Sequence, residues 1–397
     1  MSKRAWVCAG LTGLLVAALS AAGASAATTA KSRAQADTIK IGTIMSLTGP
    51  LAVFGIQEKQ AIELAFKQFN ASGGIAGKKI KWTVYDPAGD TAQGVALTRR
   101  LIDSDGVQLI VGGGASSGVA LAMQSILTPR SIFFATGEAS PTLTDPATNN
   151  PTTFQTTARS TTVVARLLAY AKAQGATTVG VLADTGAFGQ SGLTAANDLA
   201  PKIGITIKGV SYAATSTDLT PQLQDIQSAN PQAIIIWTAS ASGVIAIKNA
   251  AAMGLKATIM TAHSYANPTF MKQAGTASVG VVVPVVNATV YRQATVDVPA
   301  EQKAQILAFA NLYKKAFNQE INIYAAEAYD AANVALRALR LTSGDTDGKK
   351  MAAALEKQGK FVGTIGTFNF SASDHYGLAA SDLRIAKWSG SGWILQK

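Results

Sequence analysis

Between residues 39 and 285 short apolar runs alternate with segments of helical periodicity, and few architectures accommodate that order. The first series reads as strand 39–45, helix 54–70, strand 80–85, helix 91–102, strand 109–111, helix 119–127 and strand 132–135. In the first helix Ile62, Ala65, Phe66 and Phe69 share one face, and Gly73-Gly74 ends it. After an irregular stretch around Asn149-Asn150-Pro151 a second series begins near Ser160. It reads as helix 161–173, strand 178–183, helix 189–202, strand 205–212, helix 219–229, strand 233–238, helix 242–253, strand 257–262, a short helix 268–273 and strand 279–285. Strands alternating with helices at this spacing predict parallel doubly wound sheets, and two consecutive series predict two α/β lobes. The remainder differs, with helices over 300–317, 324–341 and 348–357 and then strands over 366–370 and 383–388 that suit sheet edges.

The densest chemical signal is Gln108 to Gln124, QLIVGGGASSGVALAMQ, which reads as strand, glycine turn, serine pair and helix start. The first N–H groups of a helix lack intrahelical partners and carry partial positive charge. Glycines allow close approach to the backbone, and serine hydroxyls cap the helix or donate to an anion. The stretch therefore suits a carboxylate or phosphate, although a serine cap on an ordinary strand-to-helix turn accounts for the same residues. A dinucleotide fingerprint is not met, because Gly112, Gly114 and Gly118 are spaced one residue too far. A P-loop is not met either, since no Gly-Lys-Ser/Thr follows. Gly114-Ala115-Ser116-Ser117-Gly118 is literally the G-x-S-x-G of a nucleophile elbow, so a secreted serine hydrolase with His263 or His375 as base stands as an alternative. No HGGG-type oxyanion segment precedes Ser116, and Asp374 and His375 are adjacent in sequence, where side chains do not normally face each other.

Residues 1–26 read as a cleaved secretory signal: Lys3 and Arg4, an apolar 5–19, and Ala24-Ser25-Ala26 before Ala27. Residues 27–37 read as a disordered leader. The only cysteine, Cys8, lies inside the signal without a lipoprotein cleavage box before it. The exported chain is thus expected to be no lipoprotein, with neither disulfide nor thiolate. With two histidines far apart, no metal or cofactor pattern is present. The chain after the signal has the length of about two domains. The net charge of +11 is scattered rather than clustered with aromatics, which argues against nucleic acid.

Several motifs together resemble the leucine/isoleucine/valine-binding protein family, the periplasmic solute receptors of ABC importers. They are Ile39-Lys40-Ile41-Gly42, Leu47-Thr48-Gly49-Pro50-Leu51, Asn70-x-x-Gly73-Gly74-Ile75, Tyr85-Asp86-x-x-Gly89-Asp90 and Pro141-x-Leu143-Thr144. Tyr324-Ala325-Ala326-Glu327-Ala328-Tyr329-Asp330-Ala331 continues the match, and Phe368-Asn369-Phe370-Ser371-x-x-Asp374-His375-x-Gly377-Leu378 resembles the branch associated with aromatic and other organic acids. The resemblance spans nearly the whole exported chain. It implies a type I fold of two α/β lobes joined by three crossings, with the ligand in the cleft. Lobe one is expected over 38–155 and 287–363, and lobe two over 156–286 and 364–397. It also implies a monomeric, non-enzymatic periplasmic protein that captures a small carboxylate ligand by closure and delivers it to a membrane permease. A ligand sensor of the same fold carries identical binding chemistry.

Carried over residue by residue, Ser116 matches the serine that holds the ligand carboxylate, and Ser117 follows it. Gly137 and Ala139 match backbone contacts of the next loop, Ala139 having lost a hydroxyl common in the family. Phe54 and Tyr324 match aromatic walls. Phe188 stands where many members have Tyr, and Ser240 lies near a position often aromatic, which implies a roomier pocket. His263 stands where amino-acid-binding members place a Glu for the ligand ammonium. Glu138 is the nearest spare acid, although a loop carboxylate ordinarily lies at the surface. The expected ligand is therefore a carboxylate that need not carry an α-ammonium group, either branched-chain amino-acid-like or an aromatic or other organic acid.

Overall fold

A computed structural model describes residues 38–293 and 297–396. The signal and leader read in 1–37 lie outside the described residues. The first series gives β1 (Thr38–Ile44), α1 (Ala52–Ala71), β2 (Lys79–Tyr85), α2 (Thr91–Arg99), β3 (Leu109–Gly113), α3 (Ser117–Leu127), β4 (Phe133–Thr136) and β5 (Thr153–Gln155). The second gives α4 (Ser160–Ala173), β6 (Thr178–Asp184), α5 (Ala187–Leu199), β7 (Thr206–Tyr212), α6 (Thr220–Gln227), β8 (Ala233–Trp237), α7 (Ser242–Ala252), β9 (Thr258–Thr261), α8 (Pro268–Ala274) and β10 (Val282–Val286). The rest comprises α9 (Asn287–Val290), α10 (Ala300–Phe317), α11 (Ile323–Leu341), α12 (Gly348–Gln358), β11 (Lys360–Val362), β12 (Thr367–Asn369), β13 (Leu383–Trp388) and β14 (Trp393–Leu395).

Lobe one is built on a parallel five-stranded sheet in the order β2-β1-β3-β4-β5. Lobe two repeats that order as β7-β6-β8-β9-β10, again parallel, and extends it with the antiparallel strands β13 and β14. The innermost strands β3 and β8 are buried along their length, which is why they read as continuous apolar runs rather than alternating ones. In both sheets the first strand sends the chain to one side and then to the other. The crevices at β1/β3 and at β6/β8 are therefore the switch points where open α/β sheets bind ligands.

Helix α1 buries Phe54, Ala61, Ile62, Ala65 and Phe69, and it packs against α11. Positive φ at Gly73 (94°) and Gly74 (75°) turns the chain out of that helix, a conformation glycine adopts without Cβ strain. Strands β5, β11 and β14 are absent from the sequence reading. Each has three residues and sits at a sheet edge or in a hairpin, too short to show an alternation. The β11–β12 hairpin straddles the lobe boundary expected at 363/364.

Candidate ligand-binding cleft

The two switch points face each other across a cleft of about 430 Å³ lined by residues of both lobes. On lobe one, Ser116 caps α3: its backbone is extended (φ −152°, ψ 121°) and its Oγ accepts from the Val119 N–H at 3.5 Å. The preceding turn holds Gly112 at φ 92° and Gly114 at φ 83°. A Cβ on Gly114 would lie 2.6 Å from Val119 Cγ1, so this turn needs glycine for space as well as for backbone angle. Ser116, Ser117, Gly137 and Ala139 all line the cleft.

Glu138 does not lie at the surface. It is 6% exposed, and its Oε1 accepts from the N–H groups of Gly113 and Ala115, each at 3.1 Å, while the Thr136 hydroxyl donates to Oε2. The glycine-turn part of the anion seat, the Gly113 and Ala115 amides, thus already holds a carboxyl of the same chain, which leaves Ser116 and Ser117 at the helix start. Burial pushes the Glu138 pKa up to about 7 despite the opposing effect of those N–H donors.

Two further acids on this floor escape the sequence reading. Glu58 of α1 and Glu327 of α11 line the cleft and are almost fully buried. The Glu327 carboxylate accepts from the Thr157 hydroxyl, whereas Glu58 has no hydrogen-bond partner among the described residues. Burial raises both well above the usual carboxylate range. For Glu58 the neighbouring Glu138 and Glu327 add to the rise, and for Glu327 the neighbours Glu138 and Asp330 do. Glu58 does carry a signal: it follows Phe54 by four positions and precedes Ala61 and Ile62 by three and four, on the apolar face of its helix.

On lobe two, Phe188 stacks on Trp237 with centroids 5.2 Å apart and meets His263 edge-on at 5.8 Å. His263 is buried at the cleft wall, and its Nδ1 has no partner among the described residues. Burial lowers its pKa to about 4, so the imidazole is neutral at neutral pH. Ser240 lines the cleft within a hydroxyl chain: its Oγ is 3.0 Å from Thr238 Oγ1 and 2.6 Å from Ser242 Oγ. Asp184 also lines this wall, its Oδ1 accepting from the Gly186 N–H at 2.8 Å. Tyr324 spans the cleft, donating from its hydroxyl to the Ser264 carbonyl at 2.7 Å. Phe54 is placed differently from the expectation. It is 1% exposed and does not line the cleft, but packs 4.4 Å behind the Tyr324 ring because α1 turns that face into the core.

A family model described as periplasmic binding protein matches residues 38–392. The chain belongs to this family. This periplasmic binding protein is 28% identical over 361 residues to Leu/Ile/Val-binding protein homolog 3 of Brucella melitensis biotype 1, covering 90% of this chain and 93% of that one. It is 27% identical over 336 residues to the leucine-, isoleucine-, valine-, threonine-, and alanine-binding protein of Pseudomonas aeruginosa, covering 81% and 82%. In fold it resembles an extracellular ligand-binding receptor from Rhodopseudomonas palustris HaA2 (TM-score 0.81, 20% identity, 90% of this chain and 99% of that one). A solute binding protein from R. palustris in complex with benzoate also matches (TM-score 0.76, 19% identity, 90% and 95%).

The geometry of the binding protein bears on the hydrolase alternative as well. Ser116 Oγ caps its helix, and no hydrogen bond joins it to His263 or His375 among the described residues. His375 lies away from the cleft, stacked on Phe154 at 4.1 Å, with Nδ1 3.0 Å from the Thr153 carbonyl and Nε2 2.9 Å from Glu356 Oε1. The activated pair that nucleophilic catalysis needs is not assembled here. Among the described residues no group of three His, Cys, Asp or Glu side chains is placed to hold a metal ion.

Proposed function

We propose that this binding protein is exported to the periplasm and acts as the substrate-binding component of an ABC importer, closing two lobes over a small carboxylate-bearing solute and presenting it to a membrane permease. The observation that carries this reading is the single cleft formed by two facing switch points, with residues of both lobes in its lining. Lobe one takes 38–155 and 287–363, and lobe two takes 156–286 and 364–397. The solute carboxylate docks at the α3 N-terminus through Ser116 and Ser117, and Phe188 and Tyr324 flank its apolar body. A solute shifts the open–closed equilibrium only by its preference for the closed state, and the lining of both lobes supplies that preference.

Of the two ligand classes, the amino-acid class is favoured. Four acids, Glu58, Glu138, Glu327 and Asp184, line the cleft, and no Lys or Arg does among its lining residues. A bare organic acid brings a negative charge that those acids cannot compensate, whereas a zwitterion brings a positive one that they balance on ionising. The names of the curated relatives agree with this class. The neutral His263 favours the organic-acid class as the second reading. A thermal-shift screen of amino acids against aromatic and aliphatic acids tests the proposal. A ligand at a hundred times its Kd stabilises the native state by about 2.7 kcal/mol. A screen in which no carboxylate raises the melting temperature refutes it.

A further inference from the structure

We propose that Glu58, Glu138 and Glu327 form a cation subsite on lobe one that receives the ammonium of the solute. The inference rests on the amino-acid reading above and assigns the ammonium to a place separate from the lobe-two position that His263 occupies. The three carboxyls arrive from three different elements, α1, the loop after β4, and α11, and they interact electrostatically across one floor of the cleft. The loop after β4 lies directly against α11, since a Cβ on Gly137 would sit 3.5 Å from the Glu327 Cβ, in ordinary contact.

Two side chains left without partners point to an occupant. Glu58 is 7% exposed, lines the cleft and has no hydrogen-bond partner among the described residues. His263 is 4% exposed and lines the same cleft, and its buried Nδ1 has no partner among the described residues. Buried polar groups are normally satisfied, and the Glu58 carboxyl at the cleft has no protein donor, so it is an acceptor that a solute N–H can satisfy. An ammonium has three N–H donors and no acceptor, which suits a floor of carboxylate acceptors. Without an occupant, like charges held this close in low dielectric keep their protons.

Occupation by a cation releases that constraint, so capture expels a proton and strengthens as pH rises toward 8. The groups that set this behaviour are Glu58 from α1, Glu327 and Tyr324 from α11, Asp330 behind Glu327, and the Thr136 hydroxyl and Gly113 and Ala115 amides around Glu138. Asp184 and His263 face them from lobe two. A bare carboxylate shows the opposite dependence, because the same deprotonation repels it.

The test is calorimetry on the mature protein with L-leucine, L-isoleucine, L-valine and L-phenylalanine, each paired with its 2-oxo acid, at pH 5.5 and pH 8. The expected result is that at least one amino acid binds 100-fold or more tightly than its 2-oxo acid, and about tenfold more tightly at pH 8 than at pH 5.5. Glu138→Gln and Glu327→Gln each weaken that amino acid tenfold or more while leaving its 2-oxo acid unchanged or improved. Glu58→Gln, which removes no protein hydrogen bond, repeats the measurement if either of the others misfolds. Equal loss for both members of a pair marks a merely structural role and overturns the subsite. A 2-oxo acid that binds as tightly as its amino acid also overturns it while leaving the carboxylate receptor intact. If no amino acid in the panel binds but an organic acid does, the amino-acid reading fails and the subsite falls with it.

Discussion

Replacing Glu138 by Gln makes the ligand-free protein more stable above neutral pH, by an amount its surroundings set. The Glu138 carboxyl ordinarily titrates at 4.5 and is pushed up to about 7 by burial. Between those values the folded chain holds a proton that the unfolded chain has lost. The stability contributed by the protonated carboxyl is therefore fully present below pH 4.5 and is lost as pH rises to 7. The difference amounts to about 3 kcal/mol. A glutamine fits the same contacts. Its Oε1 accepts from the Gly113 and Ala115 N–H groups, and its Nε2 donates to the Thr136 Oγ1 where the acid accepted. Urea denaturation of both proteins at pH 5, 6, 7 and 8 isolates the effect. Asp330, also raised to about 7 by burial, lowers stability over the same window in both proteins, and Glu58 and Glu327 act in the same direction. His263, depressed to about 4, raises stability between about 4 and its ordinary 6.5 in both. The wild-type-minus-variant difference removes most of this shared background. The variant is expected to match the wild type near pH 5 and to exceed it by about 3 kcal/mol at pH 8. Parallel curves across the range would refute the argument that Glu138 is a buried acid with a raised pKa.

Three further outcomes are expected. Ser116→Ala removes the α3 cap at a cost of about 1 kcal/mol, read by denaturation, and weakens binding of the identified ligand roughly 10–100-fold by calorimetry. An unchanged Kd rejects Ser116 as a carboxylate contact. Asp330→Ala costs about 2–3 kcal/mol in urea, because the carboxylate accepts from Thr364 N–H (2.8 Å) and Ile365 N–H (3.0 Å), which are left unsatisfied; Asp330→Asn, keeping one acceptor, loses less. Mass spectrometry of the secreted protein places the N-terminus at or near Ala27, and an intact Met1 or a lipid on Cys8 overturns the export argument.

The parts legible in the sequence are those fixed by local periodicity. The α1 stripe, the all-apolar β3 and β8 and the serine start of α3 each follow from spacing along one element, and each stands close to where it is expected. The resemblance adds which loops converge, a property no single element carries. Glu138 defeats a reading from sequence because its environment is tertiary. It lies beside Gly113 and Ala115, more than twenty positions earlier, and nothing near it in sequence marks it as enclosed. Phe54 carries the same periodic signal whether its ring reaches the cleft or stops in the core, and only the packing of α1 on α11 decides between them. Glu58 is readable as an acid on an apolar stripe. Glu327 lies in a stretch buried at every position from Ile323 to Ala328, where no face is left to betray it.

The occupied glycine loop also determines where the entropy of capture is spent. Because Glu138 already satisfies the Gly113 and Ala115 amides, the backbone there is ordered before any solute arrives. Lobe one is then a preorganised template, and a solute landing on it does not have to freeze a floppy loop. The conformational cost of binding falls on swinging lobe two across the gap and on fixing the walls it carries, Phe188 and His263 among them. Changes to the lobe-one loop should therefore act mainly through how well it grips the solute, and changes in lobe two mainly through how often the empty protein visits the closed state.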